Sequence, residues 1–259
     1  MIKFFRKIRQ NLLKEGKTAR YFKYALGEII LVVIGILIAL QINNWNEYRK
    51  YQIHELEVIE GLYSEIKQNQ DLTIVYKEES DTRLKAIKSL LNITTKELEQ
   101  VTDEQLNRKL LSSVISKSYF PLVSKLDHLL SKENLESNKS KNLISLLNVY
   151  HNSIDTIKVQ STSDLEKFSN IQVPLFNKNI SVKNIMHQRE PKEISKSNNV
   201  VDLKPFIRSL EFENLYSDLY ATVKKNTQYL DANIKLMQQI IQYIEENYPS
   251  VISKKTNHD

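Results

Sequence analysis

Hydrophobic and polar positions follow two different rules along this chain. Residues 29–40, IILVVIGILIAL, carry no polar side chain, and ten of these twelve are Ile, Leu or Val. Widening the window to residues 26–45 gives 20 residues whose single ionisable group, Glu28, stands near one end. About 20 residues, each rising about 1.5 Å, cross a bilayer core, so this window predicts a transmembrane helix over residues 25–45. Beyond it the apolar residues come singly, at helical spacing. Tyr220, Val223, Thr227, Leu230, Ile234, Met237, Ile241, Ile244 and Tyr248 alternate steps of three and four and predict a long helix with a narrow apolar seam. Leu143, Leu147, Tyr150, Ile154 and Ile157 form a second seam, and Leu56, Ile59, Tyr63 and Ile66 a third that continues the membrane segment as one rod. Each seam needs a partner, and packing against one another in an antiparallel bundle supplies it.

Shorter helices are predicted at about 82–92, 103–118 and 121–132, with Thr102 and Gln105 as a capping box and Pro121 in the first turn of the last. Between about residues 170 and 205 the periodicity lapses, and Pro174, Pro191 and Pro205 fall there. That stretch reads as a loop-rich, mobile insert. The predicted fold is all-α: a basic segment (1–24), a transmembrane helix (25–45), and an extracytoplasmic antiparallel bundle with long helices (46–259).

Charge sharpens the membrane reading. Residues 1–28 hold eight bases against two acids, which is the whole of the net +6, while the other 231 residues hold 29 of each. A nucleic-acid-binding domain needs a basic face on its folded part, so no nucleic-acid partner is expected. The ten aliphatic residues contribute roughly −3 to −6 kcal/mol to insertion, against roughly +2.5 kcal/mol for a charge at mid-bilayer, and insertion wins. Tyr21, Phe22 and Tyr24 before the stretch, with Trp45 and Tyr48 after it, are placed as interfacial aromatics. A cleaved signal peptide wants small residues spaced as in A-x-A, and Ala39-Leu40-Gln41 offers one, so the helix reads as an uncleaved signal-anchor. The positive-inside rule then predicts a single-pass inner-membrane protein with a cytoplasmic N-terminus and a periplasmic body. Gly35 and Ala39, four apart, form a small-xxx-small face and are candidates for pairing with a second transmembrane helix.

These same residues carry a resemblance. The opening FFRKIRQNLL and the run GEIILVVIGILIALQINNWNE from Gly27 to Glu47 resemble the N-terminal signature of a family of uncharacterised membrane-anchored proteins, mostly from Bacteroidota, described as a domain of unknown function. Residues 118–154 and the last long helix are similar to the family's pattern. Members often show Ser-Gly-Asn-Leu where this chain has Lys132-Glu133-Asn134-Leu135, without the glycine. The resemblance implies the architecture and the location, and it brings no catalytic residues.

The chemical inventory is mostly negative. The chain has no Cys, so disulfides and thiolate sites are out, and its four glycines end at Gly61, which leaves no glycine-rich phosphate loop beyond it. His54, His128, His151, His187 and His258 match no zinc or di-iron spacing, although His128 and His151 lie on two helices expected to pair. Acids such as Glu78, Glu79 and Asp81 are interleaved with lysines in the manner of a solvated helix face. No catalytic, cofactor-binding or metal-ligating set is expected. The leading functional expectation is a non-catalytic module, held in the lipid bilayer, that presents its bundle to an envelope protein or to a second copy of itself. Two alternatives stay open. One is a ligand-sensing domain, which with about 24 cytoplasmic residues would act through a partner; the other is an envelope enzyme.

Overall fold

The structure, a computed structural model, describes residues 18–114, 119–132, 135 and 137–253, with side chains described from residue 22 onward, those of Tyr24 and Ser253 excepted. The described residues are all-helical, without strands. In chain order the helices are α1 (Thr18–Leu91), α2 (Thr95–Gln100), α3 (Asp103–Val114), α4 (Ser124–Lys132), α5 (Asn138–Lys167), α6 (Val173–Asn179), α7 (Val182–Arg189), α8 (Lys204–Ile207), α9 (Leu210–Asn247) and α10 (Pro249–Ser253). A π-helical turn, Phe168–Gln172, joins α5 to α6. The chain divides into two compact units, Met1–Glu57 and Val58–Asp259. Most of the basic segment predicted at 1–24 lies outside the described residues.

In the first unit α1 carries its apolar run on every side. The aliphatic side chains from Ile29 to Leu40 are 47–64% exposed, and an 18-residue window of the helix has mean hydropathy 2.6 with none of it buried. One helix near the N-terminus is therefore long and apolar enough to cross a membrane.

The second unit buries what the first exposes. Its core runs along three long helices: α1 from Ile59 onward, α5 and α9. Tyr63 and Lys77 of α1 meet Glu245 and Asp231 of α9, so these two run antiparallel. Lys139 and Lys167 of α5 reach Asn247 and Asp218 of α9, again antiparallel, while Asn69 of α1 meets Tyr150 of α5. The predicted seams are the packed faces. Ile59, Tyr63 and Ile66, all five residues of the α5 seam, and Val223, Thr227, Leu230, Met237, Ile241, Ile244 and Tyr248 are buried. Each large aliphatic side chain taken fully out of water contributes roughly 1.5–3 kcal/mol to the favourable side of the unit's stability.

Several local expectations change. The helix predicted at 82–92 is the end of α1, because nothing between Gly61 and Leu91 breaks it: no Gly or Pro intervenes, and Ile87 and Leu90 keep the seam in register. The capping box before α3 forms, with Thr102 N–H donating to Gln105 Oε1 (3.1 Å) and Gln105 N–H to Thr102 Oγ1 (3.3 Å). The last residues of the predicted 103–118 helix lie outside the described set, as do Glu133 and Asn134 of the turn without glycine. Pro121 does not open α4. It sits in the non-helical segment before Ser124, and the N-terminus of α4 is capped from another helix by the Glu65 carboxylate, which accepts from Ser124 Oγ (3.1 Å) and from the Lys125 (2.8 Å) and Leu126 (2.9 Å) amides.

Within residues 170–205 the chain holds α6, α7 and the start of α8, with irregular backbone over 190–203. Ser181 caps α7 by accepting from the Asn184 amide, and Phe176, Ile180 and Ile185 are buried in the core. Helices of seven and eight residues bury one side chain each within their span, too few to register as a period.

Candidate functional site

Past Ile66 the inward positions of α1 turn polar while the helix continues. Asn69, Thr73, Tyr76, Ser80 and Arg83 follow at steps of four and three before Ile87 restores the apolar seam. Buried polar groups are expensive unless paired, and the upper two are fully paired. Asn69 Nδ2 donates to the Leu122 carbonyl (2.7 Å) and to Tyr150 Oη (3.1 Å), and Asn69 Oδ1 accepts from the Leu122 amide (2.8 Å). Thr73 Oγ1 donates to the Asn69 carbonyl (2.6 Å), so the Tyr119 hydroxyl at 2.7 Å donates to it.

The lower three, Tyr76, Ser80 and Arg83, border a cavity of about 360 Å³ inside the second unit, shared with α5, the π-helical turn and α9. Its wall is apolar on one side, where Tyr119 meets Tyr76 edge-to-face at 5.2 Å beside Ile157, Tyr229 and Leu230. The other side is charged. Arg83 Nε donates to the Ser113 carbonyl (2.8 Å), and its two terminal nitrogens make no hydrogen bond to any described residue. Burial pulls its pKa below the ordinary arginine value while Asp164 and Tyr216 pull it upward, and a guanidinium remains protonated throughout. Ser113 is held in turn: its Oγ donates to the Leu110 carbonyl (2.7 Å), so the buried Tyr216 hydroxyl at 2.8 Å donates to Ser113. Asp164 accepts from Gln160 Nε2 (3.1 Å) and from Asn226 Nδ2, and it forms no ion pair with Arg83.

Gln172 completes the lining. It is 4% exposed, its Oε1 is wholly buried without a partner, and no hydrogen bond joins its Nε2 to any described residue. Local sequence accounts for its position. Pro174 has no N–H to offer the Asn170 carbonyl, and the backbone just before it widens into a π turn, with the Val173 amide bonded to the Phe168 carbonyl five residues back. Single π turns inside α-helices occur often at functional sites.

The residues singled out from sequence lie elsewhere. Phe22, Trp45 and Tyr48 are exposed on the first part of α1, and the side chains of Tyr21 and Tyr24 lie outside the described set. Gly35 and Ala39 share a helix face, and a Cβ added at Gly35 meets nothing within 4 Å. His151 pairs with Asp127 (3.1 Å) and Asp155 (3.5 Å), not with His128, and no group of three or more His, Asp or Glu suited to a metal occurs among the described residues. The Glu78–Asp81 cluster lies on a partly solvated face, with Lys77 on Asp81 at 2.8 Å. Arg83, Asp164 and Gln172 were missed. The signals for them were the polar break in the α1 period and the proline that follows a long amphipathic helix.

Comparison with known proteins adds little chemistry. No curated protein and no solved structure matches the chain. A family model, described as "Family of unknown function (DUF6090)", matches residues 28–162, just over half of the chain; Arg83 falls inside the matched stretch, Asp164 and Gln172 beyond it. By that match the chain belongs to the family of unknown function DUF6090.

Proposed function

We propose that the protein is a single-pass, membrane-tethered ligand-binding module: α1 anchors it in the inner membrane, and the helical unit on the periplasmic side takes up a small polar molecule. The observation that carries this reading is the cavity beside Arg83, where the terminal nitrogens of a half-buried guanidinium are free and a buried amide oxygen lacks the partner that buried polar groups ordinarily have. Concave sites with a largely apolar wall and a few convergent polar groups are where small ligands bind. The sequence alone favoured a surface for an envelope protein; the cavity gives the ligand-sensing alternative a physical basis that the docking surface lacks. The basic block in residues 1–28 and the neutral remainder support the orientation, with residues 1–24 cytoplasmic.

Two measurements test it. A single Cys placed at Phe5 or at Gln100 of this cysteine-free chain is expected to react with an impermeant reagent in intact spheroplasts at position 100 only; labelling at 5 alone inverts the topology. A metabolite library screened by thermal shift on the full-length protein in nanodiscs is expected to yield stabilising compounds. A screen in which nothing stabilises the protein removes the ligand-binding reading.

A further inference from the structure

The cavity's chemistry narrows what it can hold, and this step rests on the ligand-binding reading above. We propose that the ligand is a small zwitterion of the amino-acid type, its carboxylate on Arg83 and the Gln172 side-chain amide N–H, and its amino group on Asp164. The argument is one of unmet hydrogen bonds and of sign. Arg83 spends one of its five N–H donors on Ser113, which leaves the forked terminal pair free, and a carboxylate is the group that matches such a fork in two parallel bonds. Gln172 Nε2, the end of that amide that is not enclosed, has no acceptor, and Asp164, held in place by Gln160 and Asn226, keeps lone pairs for a donor.

Sign excludes the simpler candidates. A plain anion drawn to Arg83 would enter a cavity that also holds the Asp164 carboxylate, and a plain cation drawn to Asp164 would meet Arg83. Lys167 and Asp218, the other two charges on the lining, pair with each other at 3.1 Å and leave that balance unchanged. A molecule that carries both signs satisfies both groups. A volume of about 360 Å³ lies at the small end of ligand sites, enough for one amino acid whose side chain rests on the tyrosine-rich wall.

The test uses full-length protein in nanodiscs, titrated calorimetrically with the twenty protein L-amino acids and, for each that binds, with its deaminated acid and its decarboxylated amine. At least one amino acid is expected to bind, and removal of either charged group is expected to weaken it tenfold or more. Arg83→Met is expected to abolish the preference for the amino acid over its amine. Because Arg83 also holds the Ser113 carbonyl, Gln172→Leu is the second variant. The Gln172 side chain makes no hydrogen bond within the described protein, so the variant is expected to melt at a higher temperature than wild type without ligand, yet to bind at least tenfold more weakly. An acid or an amine that binds as tightly as its parent amino acid overturns the proposal. So does a library compound that binds when no amino acid does, which leaves the ligand-binding reading standing; silence from amino acids and library alike removes both.

Discussion

Two stretches of α1 are made of the same aliphatic residues and meet opposite fates. Ile29 to Leu40 stand exposed around the whole helix, while Ile59, Leu62, Ile66, Ile87 and Leu90 are buried on one stripe. Arrangement makes the difference, since an apolar residue on every side cannot be covered by one neighbouring helix and an apolar residue every three or four positions can. A contiguous exposed patch of that extent does not persist in water, which points to lipid as the covering for the first stretch. On the membrane-anchored reading, exposure and burial here are two solutions to one transfer problem, with lipid as solvent in one case and protein in the other.

Paired substitutions would break or confirm this contrast. Leu147→Ala, inside the α5 seam, is expected to lower the unfolding free energy of the Val58–Asp259 unit by about 2–5 kcal/mol, whereas Leu37→Ala leaves its chemical denaturation curve where it was. Equal shifts from the two would erase the distinction. Leu37→Arg is expected to cost roughly 2.5–3.5 kcal/mol of membrane insertion, read as a larger fraction extracted by alkaline carbonate, with helicity of the bundle unchanged. Glu65→Ala strips the α4 N-terminus of the carboxylate that receives three donors and is expected to cost about 1–3 kcal/mol by denaturant titration.

The smallest effect at ordinary pH belongs to buried phenols. Burial raises the pKa of the Tyr150 and Tyr216 hydroxyls above the usual value near 10, so their contribution is present in full below about pH 10 and is lost as pH climbs through the raised values. Tyrosinate absorbance followed with circular dichroism should show these two ionising only as the helices melt. Ionisation of every tyrosine before any loss of helicity would contradict their burial.

How much was legible in advance follows from range. The seams at Leu143–Ile157 and Tyr220–Tyr248 could be read because a helix repeats its burial every three or four residues, and the Thr102–Gln105 box because both partners lie within one turn. Glu65 as a cap for α4 could not be read, since its partners are about 60 residues away and a carboxylate on a helix ordinarily points to water. The same holds for Asn69, which on the page interrupts a seam and in the fold bonds the Leu122 backbone through both ends of its amide.

By itself, then, the amino-acid sequence determined the helical class, the apolar anchor candidate and the faces that pack, because these depend on local periodicity and on the cost of leaving apolar surface in water. Only the tertiary structure decided that Arg83, Asp164 and Gln172 share one cavity and that Asn69 and Glu65 are satisfied from afar. Hydrogen bonding is directional and acts over about 3 Å, so which polar group finds a partner depends on how distant segments are brought together.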